Sequence, residues 1–306
     1  MHFSLPVFAL CLIAPLAAEE RATKGVDLTL VPERGTIAAG ETVTVALKIH
    51  HQPHFHTYWQ NPGVAGVPTT LDWQLPAGFT AGPVQWPAPE KTFMATHPVH
   101  GYERDVMLLV DITAPAQLPA GPVELKAKAA WMACADGCYP GKKSLSVTLG
   151  TGVAGVVDAA SAAEFAKARA ELPQPLQGWK AELVSAAGGA KIQLHLTPEA
   201  SGPAKLEGLY FFSSDGQVSS DQPQQVTRNG DGSVDLTAVR SEYSPKGGKT
   251  LPGVLMTTTS FSAGGPAYAS ISPAYATGKD DSSADEKDTA STAPSAAPKE
   301  CDCEKP

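Results

Sequence analysis

Long hydrophobic runs, basic clusters and common enzyme motifs are all missing from this sequence. No run of 18 apolar residues follows the N-terminus, so the mature chain is not expected to span a membrane. No basic stripe occurs, which excludes nucleic acid as an expected partner. G-x-S-x-G, phosphate-binding glycine loops and H-E-x-x-H are absent, so hydrolase and nucleotide-binding functions have no support, and we expect no cofactor.

The first 18 residues are typical of a secretory signal. Leu5 to Leu16 is wholly apolar, and Leu16-Ala17-Ala18 resembles a small-residue cleavage site. The segment begins without Lys or Arg, so an uncleaved N-terminal anchor is the alternative. Export predicts a periplasmic location of the Gram-negative type, where disulfides persist. Cys11 leaves with the signal, and the four remaining cysteines are too few for a disulfide scaffold.

Short alternating segments separated by Gly and Pro dominate the rest of the chain. In the first predicted domain, residues 19–150, they are 26–30, 42–49, 70–75, 106–113, 123–131 and 144–149. In the second, residues 176–276, they are 179–184, 191–196, 206–212, 234–238, 253–259 and 267–271. The pattern predicts an all-β protein of two immunoglobulin-like antiparallel β-sandwich domains.

A short helix is predicted in the connector between the domains, residues 151–175. Ser161 and Glu164 form a capping box, and Phe165 lies on an apolar face at helical spacing. We therefore expect a helix over about 158–172, ended by Pro173.

The C-terminal segment, residues 277–306, has no large hydrophobic residue and is expected to be a disordered acidic tail. It contains Cys301 and Cys303, which are separated by Asp302. Thiolates at this spacing can chelate a soft ion such as Cu(I), or exchange with another cysteine pair through the long tether. The alternative is an incidental exposed pair that oxidises after export.

The segment Cys134-Ala135-Asp136-Gly137-Cys138 carries the strongest chemical signal. In one straight strand, residues four apart lie about 13 Å apart, which is too far for a disulfide. Asp136-Gly137 is a turn signal, and glycine tolerates the left-handed conformation that a three-residue hairpin loop needs. The two cysteines would then face each other at the turn, with their Cα atoms about 4.4–6.8 Å apart.

Spacing alone leaves three interpretations of this cysteine pair. A short-range disulfide at an exposed turn is accessible to an attacking thiolate, as redox exchange requires. An inert hairpin disulfide is the second interpretation. A metal site is the third, although no second Cys or His pair follows at finger-like spacing.

The residues around the pair, 131–140 (WMACADGCYP), resemble the cysteine segment of the N-terminal, periplasmic domain of DsbD thiol:disulfide interchange proteins. They are closest to the branch that includes the suppressor-of-copper-sensitivity B proteins. Three further blocks match in order, at 56–63 (HTYWQNPG), 86–91 (WPAPEK) and 101–103 (GYE). The resemblance covers about 25–150; the second β-domain also occurs in that branch, with weaker motifs.

The resemblance implies an immunoglobulin-like domain whose cysteine pair relays electrons to or from periplasmic thioredoxin-fold partners. In the family, the cysteine before Tyr-Pro forms the mixed disulfide, so Cys138 would face the partner and Cys134 would resolve the bond. A cap loop with an aromatic residue covers the pair in the family. Here it matches residues 91–101, with Phe93 as the covering ring and Tyr102 as a further shielding candidate.

Family members usually continue into a membrane-embedded electron conduit and a thioredoxin-like domain. Neither is found in this sequence. The resemblance therefore implies that the chain docks with a separate membrane thiol reductase, or that it keeps the fold for another role.

A histidine cluster supports a different function, with members at His50, His51, His54 and His56. Imidazole ligands at this spacing predict a copper- or zinc-handling protein, although the spacing selects no metal. In the alternative, His56 helps to hold the loop of Tyr58 and Trp59, and the other three are solvated. Tyr58, Trp59, Trp73 and Trp86 are predicted as sandwich core and loop anchors, with a carbohydrate site as the alternative. A non-redox scaffold with an inert disulfide is the third functional hypothesis.

Overall fold

The computed structural model describes residues 24–153, 155, 157–200 and 205–275. The predicted signal segment and the predicted tail, with Cys301 and Cys303, lie outside the described residues. Within them the chain forms 19 strands and one helix, which confirms the predicted all-β fold. Over the same ranges, no helix is long and apolar enough to cross a membrane.

The N-terminal half, residues 26–151, contains three sheets. Its strands are β1 (Val26–Pro32), β2 (Thr36–Ile37), β3 (Thr42–His51), β4 (Thr57–Gly63), β5 (Thr70–Gln74), β6 (Thr80–Ala81), β7 (Glu90–Met94), β8 (His97–Tyr102), β9 (Val106–Thr113), β10 (Val123–Cys134) and β11 (Cys138–Thr151). Two four-stranded sheets have the orders β1-β3-β9-β6 and β2-β11-β10-β5, and a third has the order β4-β8-β7. All pairings are antiparallel except that of β2 with β11.

Alternation along the strands places the main core between the two four-stranded sheets. On β10, Val123 and Leu125 are buried while Glu124 between them is exposed. This period of two is typical of a strand with one buried face. Across the sandwich, Val45 and Val110 of the opposite sheet belong to the same buried cluster.

The helix α1 (Ala159–Ala170) covers the outer face of the first sheet, where Phe165 and Ala168 pack against Ala46 and Leu109. This cover explains why β3 is buried on both faces. The predicted capping box at Ser161 is wrong, because the helix begins at Ala159, two residues before Ser161. The side chain of Asp158 is the N-cap and accepts the backbone N–H groups of residues 160 and 161, both at 3.0 Å.

The C-terminal half, residues 174–275, contains two four-stranded sheets. Its strands are β12 (Gln174–Pro175), β13 (Trp179–Leu183), β14 (Lys191–Pro198), β15 (Tyr210–Ser213), β16 (Gln225–Arg228), β17 (Val234–Val239), β18 (Gly253–Met256) and β19 (Tyr268–Ile271). The sheet orders are β12-β19-β18-β15 and β13-β14-β17-β16. Leu194 and Leu236 of one sheet share a core with Phe211 and Leu255 of the other.

The two halves pack together as one compact unit. Phe212 and Val254, on the outer face of the β15–β18 pair, join a buried cluster with Trp59 of β4. Each predicted strand overlaps an observed one, but seven observed strands were not predicted, namely β2, β4, β6, β7, β8, β12 and β16. The predicted domain boundaries near residues 150 and 176 stay predictions.

Candidate functional site

The two cysteines close the long β10–β11 hairpin. Cys134 is the last residue of β10, Cys138 is the first of β11, and the two are directly opposed in the register. They form a disulfide, with their Cα atoms 4.2 Å apart. The prediction that the pair meets across a three-residue loop is confirmed.

The backbone of Cys134 explains the short Cα separation. Its N–H donates to the carbonyl of His56 at 3.0 Å, and its carbonyl accepts the N–H of His56 at 2.9 Å. Because both backbone groups point away from Cys138, the cysteines form a non-hydrogen-bonded pair, for which Cα atoms lie about 4.5 Å apart. The predicted range began slightly above the observed value.

Gly137 does not adopt the left-handed conformation that the sequence predicted. Within the described residues, glycines with positive φ occur elsewhere, and Gly137 is not among them. A Cβ atom on Gly137 would lie 3.1 Å from the hydroxyl oxygen of Tyr139. A side chain at this position would therefore need a small shift of the Tyr139 hydroxyl.

The two sulfur-bearing residues differ sharply in exposure. Cys134 is only 1% exposed, whereas Cys138 is exposed to solvent. An attacking thiolate must reach the sulfur along the S–S axis, so access decides which sulfur it attacks. The geometry leaves Cys138 open to a thiol and covers Cys134.

The cover of Cys134 is the sheet of β4, β8 and β7, named here the shield sheet. Tyr58 and Val99 of this sheet form a buried cluster with Cys134, and Met94 packs against it. Cys134 is thus surrounded by apolar side chains on the side away from the turn.

Tyr58 also makes a polar contact with the disulfide. Its hydroxyl donates to Sγ of Cys134 at 3.0 Å, and Nε2 of His56 lies 3.3 Å from the same hydroxyl. Burial raises the pKa of Tyr58 to about 12, so the hydroxyl keeps its proton at neutral pH. Burial lowers the pKa of His56, and the carboxylate of Glu103 partly opposes this shift.

The two predicted cap residues occupy different environments. Phe93 on β7 is 62% exposed and, with Phe55 and His56, lines an open groove beside the loop residues 135 and 136. Tyr102 is fully buried in the core, where its hydroxyl donates to the carbonyl of Pro87 at 2.8 Å. The tyrosine that contacts the sulfur is Tyr58. Sequence reasoning assigned Tyr58 only to the core, although it lies in a block that resembles the redox family.

The four clustered histidines do not converge on one point. Nδ1 of His50 pairs with Asp105 at 2.7 Å, and Nε2 of His51 lies 2.9 Å from the hydroxyl of Thr57. His54 has a positive φ of 70° in the turn before the shield sheet. Among the described residues, no three His, Cys, Asp or Glu side chains lie together as a metal site would require. His56 contacts Tyr58, as the non-metal interpretation expected, but His51 is buried and not solvated as that interpretation expected.

Part of the chain matches a known protein family. Residues 27–149 match the family described as "Thiol:disulfide interchange protein DsbD, N-terminal". Among solved structures, the chain is similar to the N-terminal periplasmic domain of ScsB from Proteus mirabilis, with 16% identity and a TM-score of 0.58. The alignment covers 83% of this chain and 95% of that one, and at this identity it shows the fold alone. The adhesin InvE of Yersinia pseudotuberculosis is 13% identical, with a TM-score of 0.20 and coverage of 82% and 60%. No curated protein sequence matches the chain.

Proposed function

Because residues 27–149 match the family of DsbD N-terminal domains, we propose that this chain is a periplasmic relay that passes electrons through Cys134–Cys138. The observation that supports the relay best is the unequal exposure of the two cysteines. A structural staple needs no accessible sulfur, whereas an exchange site needs one that a partner can reach.

Reduction of the chain begins at Cys138. A thiolate of the donor attacks Sγ of Cys138, the S–S bond breaks, and its electron pair stays on Sγ of Cys134. Tyr58 donates a hydrogen bond to the departing sulfur, which favours its thiolate form. The second donor thiol then attacks the mixed disulfide. The donor leaves as a disulfide, and both cysteines of the hairpin are reduced.

Delivery of the two electrons follows the reverse order. The thiolate of Cys138 attacks the disulfide of an acceptor and forms a mixed disulfide. The thiolate of Cys134 then attacks Sγ of Cys138, which restores the hairpin disulfide and releases the reduced acceptor. Cys134 is therefore the leaving group in one direction and the resolving nucleophile in the other.

The donors and acceptors are proposed to be thioredoxin-fold proteins and a separate membrane thiol reductase. A thioredoxin-fold partner must bring a thiolate to Sγ of Cys138, and the open groove beside the hairpin loop gives it room to approach. Phe93 and Phe55 line this groove and would supply apolar contacts.

Cysteine variants test the relay directly. The reduced variants are mixed with oxidised thioredoxin as the acceptor. Cys138→Ser should abolish exchange, because the attacking sulfur is lost. Cys134→Ser should accumulate a mixed disulfide between Cys138 and thioredoxin, because the resolving thiol is missing; intact-protein mass spectrometry after acid quenching detects it. Exchange by Cys138→Ser at the wild-type rate would show that the roles are assigned wrongly.

The reduction potential separates the relay from a non-redox scaffold. Equilibration with a glutathione series should place the hairpin pair within the range of thioredoxin-fold partners, about −120 to −270 mV. A potential below about −300 mV, the region of structural disulfides, would instead support the inert scaffold.

A further inference from the structure

The C-terminal half contacts the shield sheet at two places that are far apart in the sequence, the end of β4 and the start of β8. The hydroxyl of Ser220 donates to the carbonyl of Pro98 at the start of β8, at 2.9 Å. The same hydroxyl accepts the backbone N–H of Val64, just after β4, also at 2.9 Å. One buried side chain therefore links the end of β4 to the beginning of β8.

The chain of the N-terminal half is shaped to receive Ser220. Gly63 has a positive φ of 91°, and a Cβ atom at this position would overlap the side chain of Ser220. Glycine is needed here both for the left-handed backbone and for the close approach. Beside it, the side-chain amide of Asn61 donates to the carbonyl of Ser213 in β15.

Aromatic side chains form the second contact. Phe212 is fully buried and packs edge-on against His100 of β8, with ring centroids 4.8 Å apart. It also meets Trp59 of β4 edge-on at 6.2 Å. Nε2 of His100 lies 3.1 Å from the hydroxyl of Tyr210. The residue before Trp59 is Tyr58, which contacts the sulfur of Cys134.

We propose that the C-terminal half is a structural part of the redox site, in which Phe212 and Ser220 hold the shield sheet against Cys134. Both act as positioning residues, because neither belongs to the cluster around the sulfur. The consequence is selectivity, since Cys138 stays open to thiols and Cys134 meets them only when the shield sheet moves away. This inference rests on the proposed relay, because an inert disulfide needs no such protection.

The labelling rate of Cys134 tests the proposal. In a Cys138→Ala background, Cys134 is a free thiol, and its modification by N-ethylmaleimide is followed by peptide-resolved mass spectrometry. Phe212→Ala should raise this rate by about tenfold or more, because it favours local opening of the shield sheet. Ser220→Ala, which keeps the apolar packing, should raise it by about threefold.

Two variants away from the shield sheet serve as matched controls. Phe165→Ala removes an equally buried phenyl ring from α1, and Ser233→Ala removes a buried hydroxyl from the C-terminal half. The free energy of unfolding is measured for all four variants. At comparable losses of stability, the two controls should leave the labelling rate within about twofold of the parent.

Equal acceleration in Phe165→Ala and Phe212→Ala would overturn the proposal, because it would mean that global unfolding exposes Cys134. Unchanged labelling in both Phe212→Ala and Ser220→Ala would overturn it as well. The assay needs no partner protein, so it gives an answer even if thioredoxin fails to exchange with the hairpin pair. Failure of the relay and failure of the positioning role are therefore distinguishable.

Discussion

In the N-terminal half, the two four-stranded sheets face each other and a third sheet covers the disulfide. In the C-terminal half, the pair of β15 and β18 is buried on both faces, because its outer face packs on the N-terminal half. Phe211 points into the core of that half, and its neighbour Phe212 packs on the shield sheet. The redox chemistry lies in one half, but the packing that surrounds it comes from both.

The family match ends at residue 149, before the C-terminal half begins. A relay needs only the hairpin and its cover, and none of the described residues of the C-terminal half is a cysteine that could exchange electrons. The shared cluster of Trp59, Phe212 and Val254 instead makes this half a packing partner. We therefore expect the two halves to differ in chemistry but to depend on each other for stability.

Core substitutions in either half provide the largest test of this dependence. Phe211→Ala in the C-terminal half should lower the free energy of unfolding by about 3–5 kcal/mol, and Leu125→Ala in the N-terminal half by about 2–5 kcal/mol. Because the halves share a buried cluster, each variant should shift one common thermal transition. Calorimetry measures this. Two transitions, each moved by only one variant, would mean that the halves are independent domains.

Acid pH should act on the N-terminal half and on the boundary between the halves. Burial lowers the pKa of His51, inside the N-terminal half, and of His100, at the boundary, each from 6.5 to about 4. Between about pH 6.5 and pH 4, these two histidines are therefore protonated in the unfolded chain but neutral in the folded chain. Stability at neutral pH is lost as the pH falls through this window, by roughly 2 kcal/mol for each histidine at pH 5.

Urea unfolding at pH 7, 6 and 5 measures this loss. The groups that face His51 are Asp105, His50 and His56. The groups that face His100 are Lys91 and Tyr210. His100→Gln should remove the share of His100, roughly 2 kcal/mol of the loss between pH 7 and pH 5. The matched control is His97→Gln, which removes an exposed histidine from the same hairpin and should keep the wild-type slope. A wild-type slope in His100→Gln would contradict the assignment.

The sequence predicted the parts of this structure in which a strand has one buried face. Alternation is clear in β1 and β10, and these strands were found close to their predicted bounds. The shield sheet was missed, because the β4–β8 register is interrupted between Tyr58 and Gly63. Pro62 and Gly63 also give this stretch the composition of a loop. Irregular pairing leaves no period for a sequence pattern to show.

The site was predictable only in its local part. Cys134 and Cys138 lie four residues apart, and the turn signal between them predicted their pairing. The contact between Tyr58 and Cys134 joins residues 76 positions apart, and no local pattern encodes it. Likewise, the supporting contact of Ser220 with Pro98 spans 122 positions. Contacts of this length follow from the packing of whole sheets.

A buried tyrosine hydroxyl in each half tests whether the two halves differ in chemistry, with the smallest expected effect. The hydroxyl of Tyr58 donates to Sγ of Cys134, and the hydroxyl of Tyr275 in the C-terminal half donates to Oε1 of Gln217 at 2.7 Å. Each Tyr→Phe variant loses two hydrogen-bond contacts, because Tyr58 also contacts His56 and Tyr275 also accepts from Arg240, so each should lose about 1–3 kcal/mol of stability. Only Tyr58→Phe should slow reduction of the hairpin disulfide by thioredoxin. The expected factor is about tenfold, because a hydrogen bond to the departing Cys134 thiolate is stronger than one to a neutral sulfur.

The pH profile is measured in the opposite direction, for oxidation of reduced Tyr58→Phe by an acceptor disulfide, where Cys134 is the resolving nucleophile. If the hydroxyl stabilises the thiolate, its loss raises the pKa of the Cys134 thiol in the reduced protein, and the resolving step then needs a higher pH. Loss of packing alone would change the rate without moving this profile. The two variants could instead be reduced by thioredoxin at equal rates and show superimposable pH profiles. The hydroxyl of Tyr58 would then contribute to stability alone and not to exchange. The chemical difference between the halves would then reduce to the two cysteines.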